Sequence, residues 1–488
     1  MQGRLIDVVR DSFGNTQQWV LVIGDLMLDR YLVGEVERIS PEAPVPVVLI
    51  KQQNERIGGA GNVAANLAQL GVHTRIAGCV GKDSEATSLI AMMNEMGITT
   101  SGVLQTEHRP TTAKTRILGG HQQMMRLDQE SHETLTATEL QQLQQLIEQQ
   151  LADKPALVIL SDYAKGVLSN SLCGSVIKQC RQMNIPVLVD PKGQDYSKYK
   201  GATALTPNKR ETAEACRVDP KNTTAILQAA AILRKSLDLE FFAVTRGEEG
   251  ISLIDAHNML HIPATAKQVF DVSGAGDTVI ATLAAGLING LNHHEAFQLA
   301  NIAAGVVVGK VGTAPITRED LLHELISQDT AEQADKVCDL FNLQARVERW
   351  KSVGLTVVFT NGCFDLLHAG HVTYLEAARK TGDRLVLGLN TDRSVSALKG
   401  PSRPVIHEQD RARVLAALAA VDAVILFDED TPLQLINAIQ PDVIVKGSDY
   451  SEDQVVGASE VKSWGGKVKL IPIVPGRSTS GIIEKLST

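Results

Sequence analysis

A glycine-rich turn and an aspartate stand at the start of an apolar helical stretch in DVSGAGDTVIATLAAGLING. Gly274, Ala275 and Gly276 let an anion approach the backbone N–H groups of the first helical turn, where the helix dipole adds positive potential. Asp277 follows and is placed to accept a proton from a hydroxyl that attacks a terminal phosphate. The segment predicts a phosphoryl-transfer site, and a tight turn with Asp277 as a helix cap is the structural alternative.

Two histidines at another predicted helix start lie in TNGCFDLLHAGH. His368 and His371 are three residues apart, so both can donate hydrogen bonds to a triphosphate while charge develops at its α-phosphorus. Their sequence surroundings supply no further Cys, His or acidic cluster that would complete a zinc site. The segment predicts nucleotidyl transfer, and capping of the helix by His368 is the structural alternative.

Sugar-binding residues are predicted at a strand end and at a second glycine-rich turn. Asp25 and Asp29 follow an apolar strand in VLVIGDLMLDRY, and ligands of α/β folds bind beyond the carboxyl ends of strands. We expect Asp29 to bind a sugar hydroxyl, whereas local capping or pairing is the alternative for both carboxylates. The helix start in ERIGGAGNVAANLAQLG adds Gly58, Gly59 and Asn62 to the substrate-binding candidates.

A sugar that already carries a phosphate needs a cationic group at its far end. The segment PTTAKTRILGGHQQMMRLDQE has a strand-like pattern that would direct only some of its cations inward, and SDYAKG adds Asp162 and Lys165 in a loop after a buried strand. We favour Lys114, Arg116, Arg126 and Lys165 as the phosphate-binding residues. An exposed basic edge strand is the alternative for the three in the strand-like segment.

Further phosphate-binding candidates follow the two histidines along the chain. The segment LKGPSRP places Lys399 and Arg403 in a loop, and VKGSDY follows a buried strand. The run GRSTSGII puts four polar residues at a helix start: Arg477, Ser478, Thr479 and Ser480. We expect this run to hold the β- and γ-phosphates that leave as pyrophosphate, with Lys399 neutralising charge from the other side. Solvated loop charges and a simple helix cap are the alternatives.

The composition restricts the classes of function. A chain of 488 residues exceeds the size of a single core, so more than one domain is expected. The net charge of −9 and the 4% of aromatic residues disfavour nucleic acids and anionic membranes as partners. No apolar run approaches the roughly 20 residues of a membrane span. Six scattered cysteines and a charged N-terminal segment without a secretory pattern predict a cytoplasmic location.

Two series of short apolar runs, each separated by helical stretches, predict two α/β domains with sheets covered on both faces. The runs of the first series are 19–23, 157–160, 187–189 and 241–244, and those of the second are 356–359, 385–389, 423–427, 443–445 and 468–473. Between the two series, a polar and charged segment predicts a linker that ends in a helix. The predicted boundaries are a first domain over 1–328, a linker over 329–354 and a second domain over 355–488.

The motifs GGAGNVAANLAQLG, TPNKRE, TRGEEG and DVSGAGD occur in this order and resemble the ribokinase-type carbohydrate kinase family over about residues 15–325. The resemblance implies a ribokinase-like αβα fold, with Asp277 as the catalytic base and the backbone of 274–276 as the anion hole. It also implies that Asn208 and Glu211 order the water shell of Mg²⁺ on ATP, with no direct protein ligand. The further nucleotide-binding residues that it implies are Lys209, Arg210, Thr245, Arg246 and Gly247.

The stretch TNGCFDLLHAGH is similar to cytidylyltransferase-like nucleotidyltransferases over about residues 355–488. This resemblance implies a smaller Rossmann-like domain with an HxGH motif. It also implies that a second ATP contacts the residues Thr360, Gly362, Phe364, His368, His371, Lys399, Arg477, Ser478, Thr479 and Ser480.

The two domains in this order resemble a bifunctional family of heptose-phosphate kinases and adenylyltransferases. The resemblance implies phosphorylation of D-glycero-β-D-manno-heptose 7-phosphate at O1 and, after a separate phosphatase, transfer of AMP to the 1-phosphate, giving ADP-heptose for lipopolysaccharide. It further implies sugar phosphates and ATP as ligands, Mg²⁺ as cofactor and a homodimer. A kinase for another sugar fused to a cytidylyltransferase, and a non-catalytic regulator that binds sugars or nucleotides, are the alternatives.

Overall fold

The computed structural model describes residues 2–120, 122–265, 269, 271–310, 312–352 and 354–472. The chain divides into two compact units, Met1–Ile326 and Ser327–Thr488. The predicted phosphate-binding run Arg477, Ser478, Thr479 and Ser480 lies outside the described residues.

The first unit contains three kinds of strand: buried, amphipathic and exposed. The strands are β1 (Trp19–Gly24), β2 (Leu26–Ile39), β3 (Pro46–Gly59), β4 (His73–Gly81), β5 (Thr99–Thr106), β6 (Thr112–Gly119), β7 (Gln122–Gln129), β8 (Leu157–Ser161), β9 (Val187–Asp190), β10 (Ala204–Leu205), β11 (Phe241–Thr245), β12 (Ile251–Ile254) and β13 (Met259–Ile262). Strands β1 and β8 are buried almost throughout, because they are apolar at consecutive positions and are covered on both faces.

The helices of the first unit cover its main sheet. They are α1 (Gln2–Asp7), α2 (Ala60–Gln69), α3 (Ser84–Glu95), α4 (Ala137–Ala152), α5 (Asn170–Gln182), α6 (Lys209–Cys216), α7 (Thr223–Ser236), α8 (Ala275–Ile288), α9 (His293–Val307) and the first half of α10 (Arg318–Asp335). Helices α2, α8 and α9 contribute to one apolar cluster, while α4, α5 and α7 contribute to a second. The result is a sheet with a helical layer on each face, the αβα arrangement that the sequence predicted.

Two sheets are formed by the described strands of the first unit. The main sheet has the order β13-β12-β11-β10-β9-β8-β1-β4-β5, in which only the pairs β11–β12 and β12–β13 are antiparallel. The second has the order β3-β2-β6-β7, with β2 parallel to β6 and the other pairs antiparallel. Since β2 follows β1 after a single residue, Asp25, the small sheet begins where the carboxyl ends of the parallel strands meet.

The second unit is a smaller sheet of five parallel strands, counted over the part of the chain that the structure describes. Its order is β16-β15-β14-β17-β18. The elements are α11 (Leu340–Ser352), β14 (Val357–Gly362), α12 (Ala369–Arg379), β15 (Arg384–Asn390), α13 (Asp392–Lys399), α14 (Glu408–Ala416), β16 (Ala423–Phe427), α15 (Leu433–Ile439), β17 (Val443–Gly447), α16 (Ala458–Ser463) and β18 (Lys467–Ile471). The chain runs from β14 outward to β16 and returns to β17 on the other side of β14, which creates a topological switch point between β14 and β17.

The segment for which a linker is predicted, 329–354, holds the end of α10 and the whole of α11. Val337 forms a parallel bridge with Val424 of β16. Leu343 and Val347 of α11 are buried in the core of the second unit. Among the described residues, every helix is too short or too polar to pass through a lipid bilayer.

Candidate active sites

Asp277, in the first turn of α8, is the centre of a buried hydrogen-bond network in the first unit. Asp277 is only 4% exposed to solvent. The Asn62 amide donates to Oδ2 at 2.7 Å, and the Tyr163 hydroxyl donates to Oδ1 at 2.6 Å. Burial raises the pKa of Asp277 to about 6, although the two hydrogen bonds act in the opposite direction. The carboxylate is therefore ionised at neutral pH but more basic than an exposed aspartate, which suits proton abstraction.

The turn before α8 allows this network to form. Gly274 has a φ of 79°, a left-handed conformation that glycine adopts without strain. A Cβ atom at Gly274 would lie 2.8 Å from Nδ2 of Asn62, so the absence of a side chain lets Asn62 reach Asp277. The Thr278 hydroxyl donates to Oδ1 of Asn66 at 3.0 Å, which ties α8 to α2 one turn further on.

Carboxylates from several segments meet at a cavity of about 160 Å³ beside the N-terminus of α8. The residues that line it are Asp162, Tyr163, Asp190, Pro191, Lys192, Thr206, Asn208, Glu211, Thr245, Gly274, Gly276 and Asp277. Burial raises the pKa of Asp190 well above its usual range, and the charges of Asp277 and Glu211 raise it further. Such a cluster of carboxylates suits a triphosphate that carries a divalent cation, because a bound cation favours the ionised form that burial and mutual repulsion disfavour.

Asn208 and Glu211 act as a reciprocal cap of α6 at the edge of this cavity. The Glu211 backbone N–H donates to Asn208 Oδ1 at 2.9 Å, and the Asn208 N–H donates to Glu211 Oε2 at 3.0 Å. The other carboxylate oxygen of Glu211 accepts from Lys192 at 2.6 Å. The cap explains the N-x-x-E spacing by helix geometry, and it also holds the carboxylate at the cavity.

An apolar cavity of about 820 Å³ adjoins the acidic one and shares Asn208, Thr245 and Gly276 with it. Gly247 and Ala275 also line it, together with aliphatic side chains of α8 and α9. An apolar pocket beside an anion-binding turn suits a nucleoside whose phosphates extend to α8.

Three other predicted nucleotide-binding residues of the first unit line neither cavity. Lys209 forms an ion pair with Glu249 at 2.9 Å, and Arg210 pairs with Glu214 at 2.7 Å. Arg246 pairs with Glu249 at 2.8 Å and also contacts His261. Each of these three side chains is thus paired with a residue that lines neither cavity.

Asp29, the residue predicted to bind a sugar hydroxyl, lies near the start of β2, where the chain passes from the main sheet into the second sheet. It is 4% exposed and pairs with Arg116 at 2.5 Å. Lys114 is opposite Asp29 in the register of β2 and β6. Burial lowers the pKa of Lys114, and both Asp29 and Lys114 are close enough to influence Asp277. The predicted sugar-binding aspartate and two of the predicted cations therefore lie beside the predicted base.

The glycines of the second predicted turn give Asp29 its space. A Cβ atom at Gly58 would lie 2.6 Å from Asp29 Oδ2. Gly59 has a φ of 59°, and a Cβ atom there would lie 2.5 Å from the carbonyl oxygen of Asp25. A side chain at either position would disturb the junction of β3 with α2.

The other two predicted cations are paired with carboxylates other than Asp29. Arg126 forms two hydrogen bonds of 2.8 Å with Asp128 on the exposed strand β7. Lys165 pairs with Glu130 at 2.8 Å. The structure thus pairs Arg116 with Asp29 and places Lys114 opposite it, whereas Arg126, opposite Arg116 in the register of β6 and β7, is paired with Asp128.

Tyr163 and Asp190 are site residues that the sequence analysis did not predict. Tyr163 lies in SDYAKG between the predicted residues Asp162 and Lys165, and Asp190 is the last residue of β9, at the start of the segment DPKG. Asp25 orders the loop, because its carboxylate accepts from the backbone N–H groups of Tyr163 and Lys165 at 2.8 and 3.1 Å. A polar residue at the carboxyl end of a buried parallel strand is the signal that could have identified Asp190.

The two histidines of the second unit stack on each other at the start of α12. Their ring centroids are 3.9 Å apart, with an interplanar angle of 18°. Phe364 packs its edge against His371 at 5.0 Å. Burial lowers the pKa of His371 to about 4, with smaller contributions from the charges of His368 and Lys399, so this imidazole is neutral at pH 7. A neutral imidazole donates one hydrogen bond, as the predicted contact with a phosphate requires.

The histidines line a cavity of about 560 Å³ at the carboxyl ends of β14 and β17. Gly362, Phe364 and Lys399 also line it. Thr360 does not, because it is fully buried and its hydroxyl donates to the Val445 carbonyl at 3.0 Å. Thr360 joins β14 to β17 beneath the cavity.

Arg403 has a structural contact in the loop after α13. Its guanidinium contacts the buried carboxylate of Asp365, which also accepts from the backbone N–H groups of Val405 and Ile406 at 2.7 and 3.1 Å. Burial acts to raise the pKa of Asp365, but these bonds hold it below its usual range. Asp365 thereby joins the TNGCFD segment to the loop that follows α13.

Both parts of the chain match known families. Residues 17–320 match the family described as pfkB family carbohydrate kinase, and residues 359–485 match the family described as cytidylyltransferase-like. A protein of Methylobacillus flagellatus, named Bifunctional protein HldE, is 68% identical over the full length of both chains. Proteins of the same name from Magnetococcus marinus and Koribacter versatilis are 56% and 50% identical and cover 96% of this chain, with 97% and 96% of their own lengths matched.

The chain belongs to the family of bifunctional HldE proteins. It is an enzyme that combines a carbohydrate kinase domain with a nucleotidyltransferase domain. The fold class predicted from the sequence is thereby confirmed for both parts of the chain.

Solved structures support the fold of the kinase part. Phosphofructokinase-2 from Escherichia coli aligns with a TM-score of 0.54 at 16% identity, covering 64% of this chain and 99% of that chain. Ribokinase from Arabidopsis thaliana aligns with a TM-score of 0.50 at 23% identity, with the same coverage of both chains. At these identities the likeness establishes the fold alone.

Proposed function

We propose that the first unit phosphorylates D-glycero-β-D-manno-heptose 7-phosphate at O1 with ATP. In the same proposal the second unit transfers AMP from a second ATP to heptose 1-phosphate, which yields ADP-heptose and pyrophosphate for lipopolysaccharide. A separate phosphatase removes the 7-phosphate between the two reactions. The observation that carries the kinase part is the buried, hydrogen-bonded Asp277 beside the helix N-terminus.

In the kinase reaction, Asp277 takes the proton from O1 of the sugar. The sugar oxygen then forms a bond to the γ-phosphorus of ATP, and the bond between that phosphorus and the β–γ bridging oxygen breaks, leaving ADP. Backbone N–H groups at the start of α8 stabilise the charge on the transferred phosphoryl group. Asp29 binds a sugar hydroxyl, and Lys114 with Arg116 supplies positive charge to the sugar phosphate.

We further propose Mg²⁺ as the cofactor of the kinase reaction. Among the described residues, no group of three or more His, Cys, Asp or Glu side chains forms a ready metal cage. The acidic cavity instead suits a cation held by ATP phosphates, with Glu211 and Asp190 contacting it through water. Mg²⁺ would neutralise charge on the phosphates. We expect Glu211→Gln to raise the Mg²⁺ concentration for half-maximal kinase rate several-fold, whereas Glu214→Gln, outside the cavity, leaves it unchanged.

In the nucleotidyl transfer, His368 and His371 donate to the triphosphate from the start of α12, and Lys399 approaches from the end of α13. The run 477–480 is proposed to hold the leaving pyrophosphate. The neutral state of His371 at pH 7 supports a role as a hydrogen-bond donor rather than as a general acid.

Product analysis tests the two reactions. The purified chain is incubated with ATP, Mg²⁺ and the heptose 7-phosphate, with and without a phosphatase, and the products are identified by mass spectrometry. We expect the 1,7-bisphosphate without phosphatase and ADP-heptose with it. Fructose 6-phosphate and ribose in parallel reactions test other sugars. Absence of the bisphosphate, or equal turnover of another sugar, would refute the assignment of the substrate.

We also propose that the protein is cytoplasmic, because both reactions consume ATP, and that it forms a homodimer. The sheet β3-β2-β6-β7 exposes apolar side chains on neighbouring strands, which supports association through this sheet. These side chains are Val36, Ile39, Leu49, Ile50, Met125 and Leu127. Light scattering of the purified chain should give twice the monomer mass, and Leu49→Glu should reduce it. A monomeric mass at micromolar concentration would exclude the dimer.

A further inference from the structure

The segment VKGSDY, which the proposed chemistry leaves without a role, ends β17 at the topological switch point of the second unit. Lys446 is the penultimate residue of β17, before Gly447, and β17 pairs with β14. Ligands of open parallel sheets bind at such switch points, beyond the carboxyl ends of the strands. Lys446, Asp449 and Tyr450 all line the cavity that contains His368 and His371.

The Lys446 ammonium group is held at the floor of this crevice. Its Nζ donates to the carbonyl oxygen of Asn361, at the end of β14, at 3.2 Å. An ammonium group has three donors, so this bond leaves two for a ligand. Burial lowers the pKa of Lys446 to about 8, and the charge of Asp449 partly offsets this effect. Burial disfavours the charged form of Lys446, and an anion bound in the cavity would stabilise that form.

Asp449 and Tyr450 extend the same wall of the cavity toward solvent. The Lys446 ammonium lies 5.7 Å from the centroid of the Tyr450 ring, and Tyr450 is 45% exposed. The loop is held in place because the Ser448 N–H donates to Ile471 at 2.8 Å and the Tyr450 N–H donates to Gly447 at 3.2 Å. The wall therefore presents a cation, a carboxylate and an open aromatic face in succession.

We propose that Lys446, Asp449 and Tyr450 form the subsite for the acceptor, the sugar 1-phosphate. Lys446 binds its phosphate, Asp449 accepts hydrogen bonds from sugar hydroxyls, and the Tyr450 ring packs against the sugar. This subsite rests on the nucleotidyl transfer proposed above.

A carboxylate favours an acceptor sugar over the triphosphate at this wall. Asp449 would repel the polyphosphate of ATP, whereas a sugar offers hydroxyl donors that a carboxylate accepts. The acceptor must also approach the α-phosphorus from the side opposite the departing pyrophosphate. Its phosphate oxygen forms the new bond to the α-phosphorus, while the bond to the α–β bridging oxygen breaks and the electron pair leaves with pyrophosphate.

The substitution Lys446→Met in the full chain tests the subsite, with initial rates of pyrophosphate release as the measurement. Loss of a charge-assisted hydrogen bond to phosphate should raise the KM for sugar 1-phosphate by about tenfold to a hundredfold. The KM for ATP should change by less than about threefold, since the nucleotide does not use Lys446 in this arrangement. Inorganic phosphate should compete with sugar 1-phosphate in the unsubstituted chain and lose most of this inhibition in the variant.

Lys469→Met is the matched control, because Lys469 is an exposed lysine on the neighbouring strand β18 and does not line the cavity. It should leave both KM values unchanged. Should Lys446→Met fail to fold, Lys446→Arg keeps the charge at a different geometry and should raise the KM for sugar 1-phosphate less steeply. Asp449→Asn should raise the same KM several-fold without affecting that of ATP.

The results separate the subsite from the reaction on which it rests. A raised KM for ATP, a fall in kcat alone or unchanged kinetics in Lys446→Met would overturn the subsite while the reaction stands. If the unsubstituted chain forms no nucleotide sugar from ATP and the 1-phosphate, the proposed nucleotidyl transfer itself is wrong.

Discussion

Replacement of Asp277 by Asn should abolish the kinase reaction and stabilise the kinase domain at neutral pH. The amide is nearly isosteric with the carboxylate but cannot accept the proton of the sugar hydroxyl. Loss of a general base typically costs about a hundredfold to ten-thousandfold in rate. The nucleotidyl transfer in the second unit should retain its rate when the 1-phosphate is supplied.

The expected stabilisation follows from the pKa of Asp277. Burial raises this pKa from 3.8 to about 6, so the folded state binds the proton more tightly than the unfolded state does. Stability contributed by Asp277 is therefore greatest below about pH 4 and is lost as the pH rises to about 6. At about 1.4 kcal/mol per pH unit, ionisation of Asp277 costs about 3 kcal/mol of folding free energy above pH 6. Asp277→Asn removes this cost.

Differential scanning calorimetry of the full chain at pH 7.5 and pH 4.5 measures the effect. The transition of the kinase domain should rise by several degrees at pH 7.5, and by much less at pH 4.5. Asp83→Asn is a control for which the opposite change in thermal stability is expected. Burial acts to raise the pKa of Asp83, but hydrogen bonds from Thr111 and Ala86 hold it below its usual range, so this substitution should destabilise at pH 7.5 and spare the kinase rate.

Two outcomes would refute the reasoning for Asp277. A variant that retains more than a tenth of the kinase rate would exclude Asp277 as the principal base. A kinase domain that is less stable at pH 7.5 in Asp277→Asn would show that the carboxylate is stabilising where it lies, contrary to the cost assigned to its burial.

Three further predictions concern other side chains of the two sites. Tyr163→Phe removes a donor to Asp277, so the acidic limb of the kinase kcat/KM profile should move upward by about one pH unit, and an unchanged limb would exclude this contact. His371→Ala should lower the rate of pyrophosphate release by about a hundredfold to a thousandfold and spare the kinase, whereas loss of both activities would contradict two separate sites. Lys114→Met should raise the KM for the sugar phosphate at least tenfold, whereas Arg126→Met, already paired with Asp128, should change it little.

The sequence predicted strands and helix starts well where the signals were local. The runs 19–23 and 241–244 correspond to β1 and β11, and the helical stretch predicted after the glycine-rich turn is α8, which begins at Ala275. Continuous apolar runs identify buried parallel strands because both faces of the sheet are covered. Strand β3 was not predicted, because its polar and exposed middle positions lack an apolar periodicity.

The choice among the predicted cations shows what local pattern leaves open. Lys114, Arg116 and Arg126 look alike in the sequence, since each is a basic residue in a strand-like context. Strand order and ion pairing distinguish them: β6 lies beside β2, which brings Lys114 and Arg116 to Asp29, whereas Arg126 lies opposite Arg116 on the next strand out and pairs with Asp128. Strand pairing depends on contacts distant in sequence, so the sequence pattern does not reveal it.

The sequence by itself determined the two glycine-bearing helix starts, the residues with acid–base and phosphate-binding chemistry, and the α/β class of both parts of the chain. These features depend on neighbours within a few residues. Only the tertiary structure decided that Asn62 and Tyr163, 215 and 114 residues away, hold Asp277, and that burial there raises its pKa to about 6. Parallel strands far apart in the chain end at one edge of a sheet, and the desolvation that tunes a carboxylate arises only where they meet.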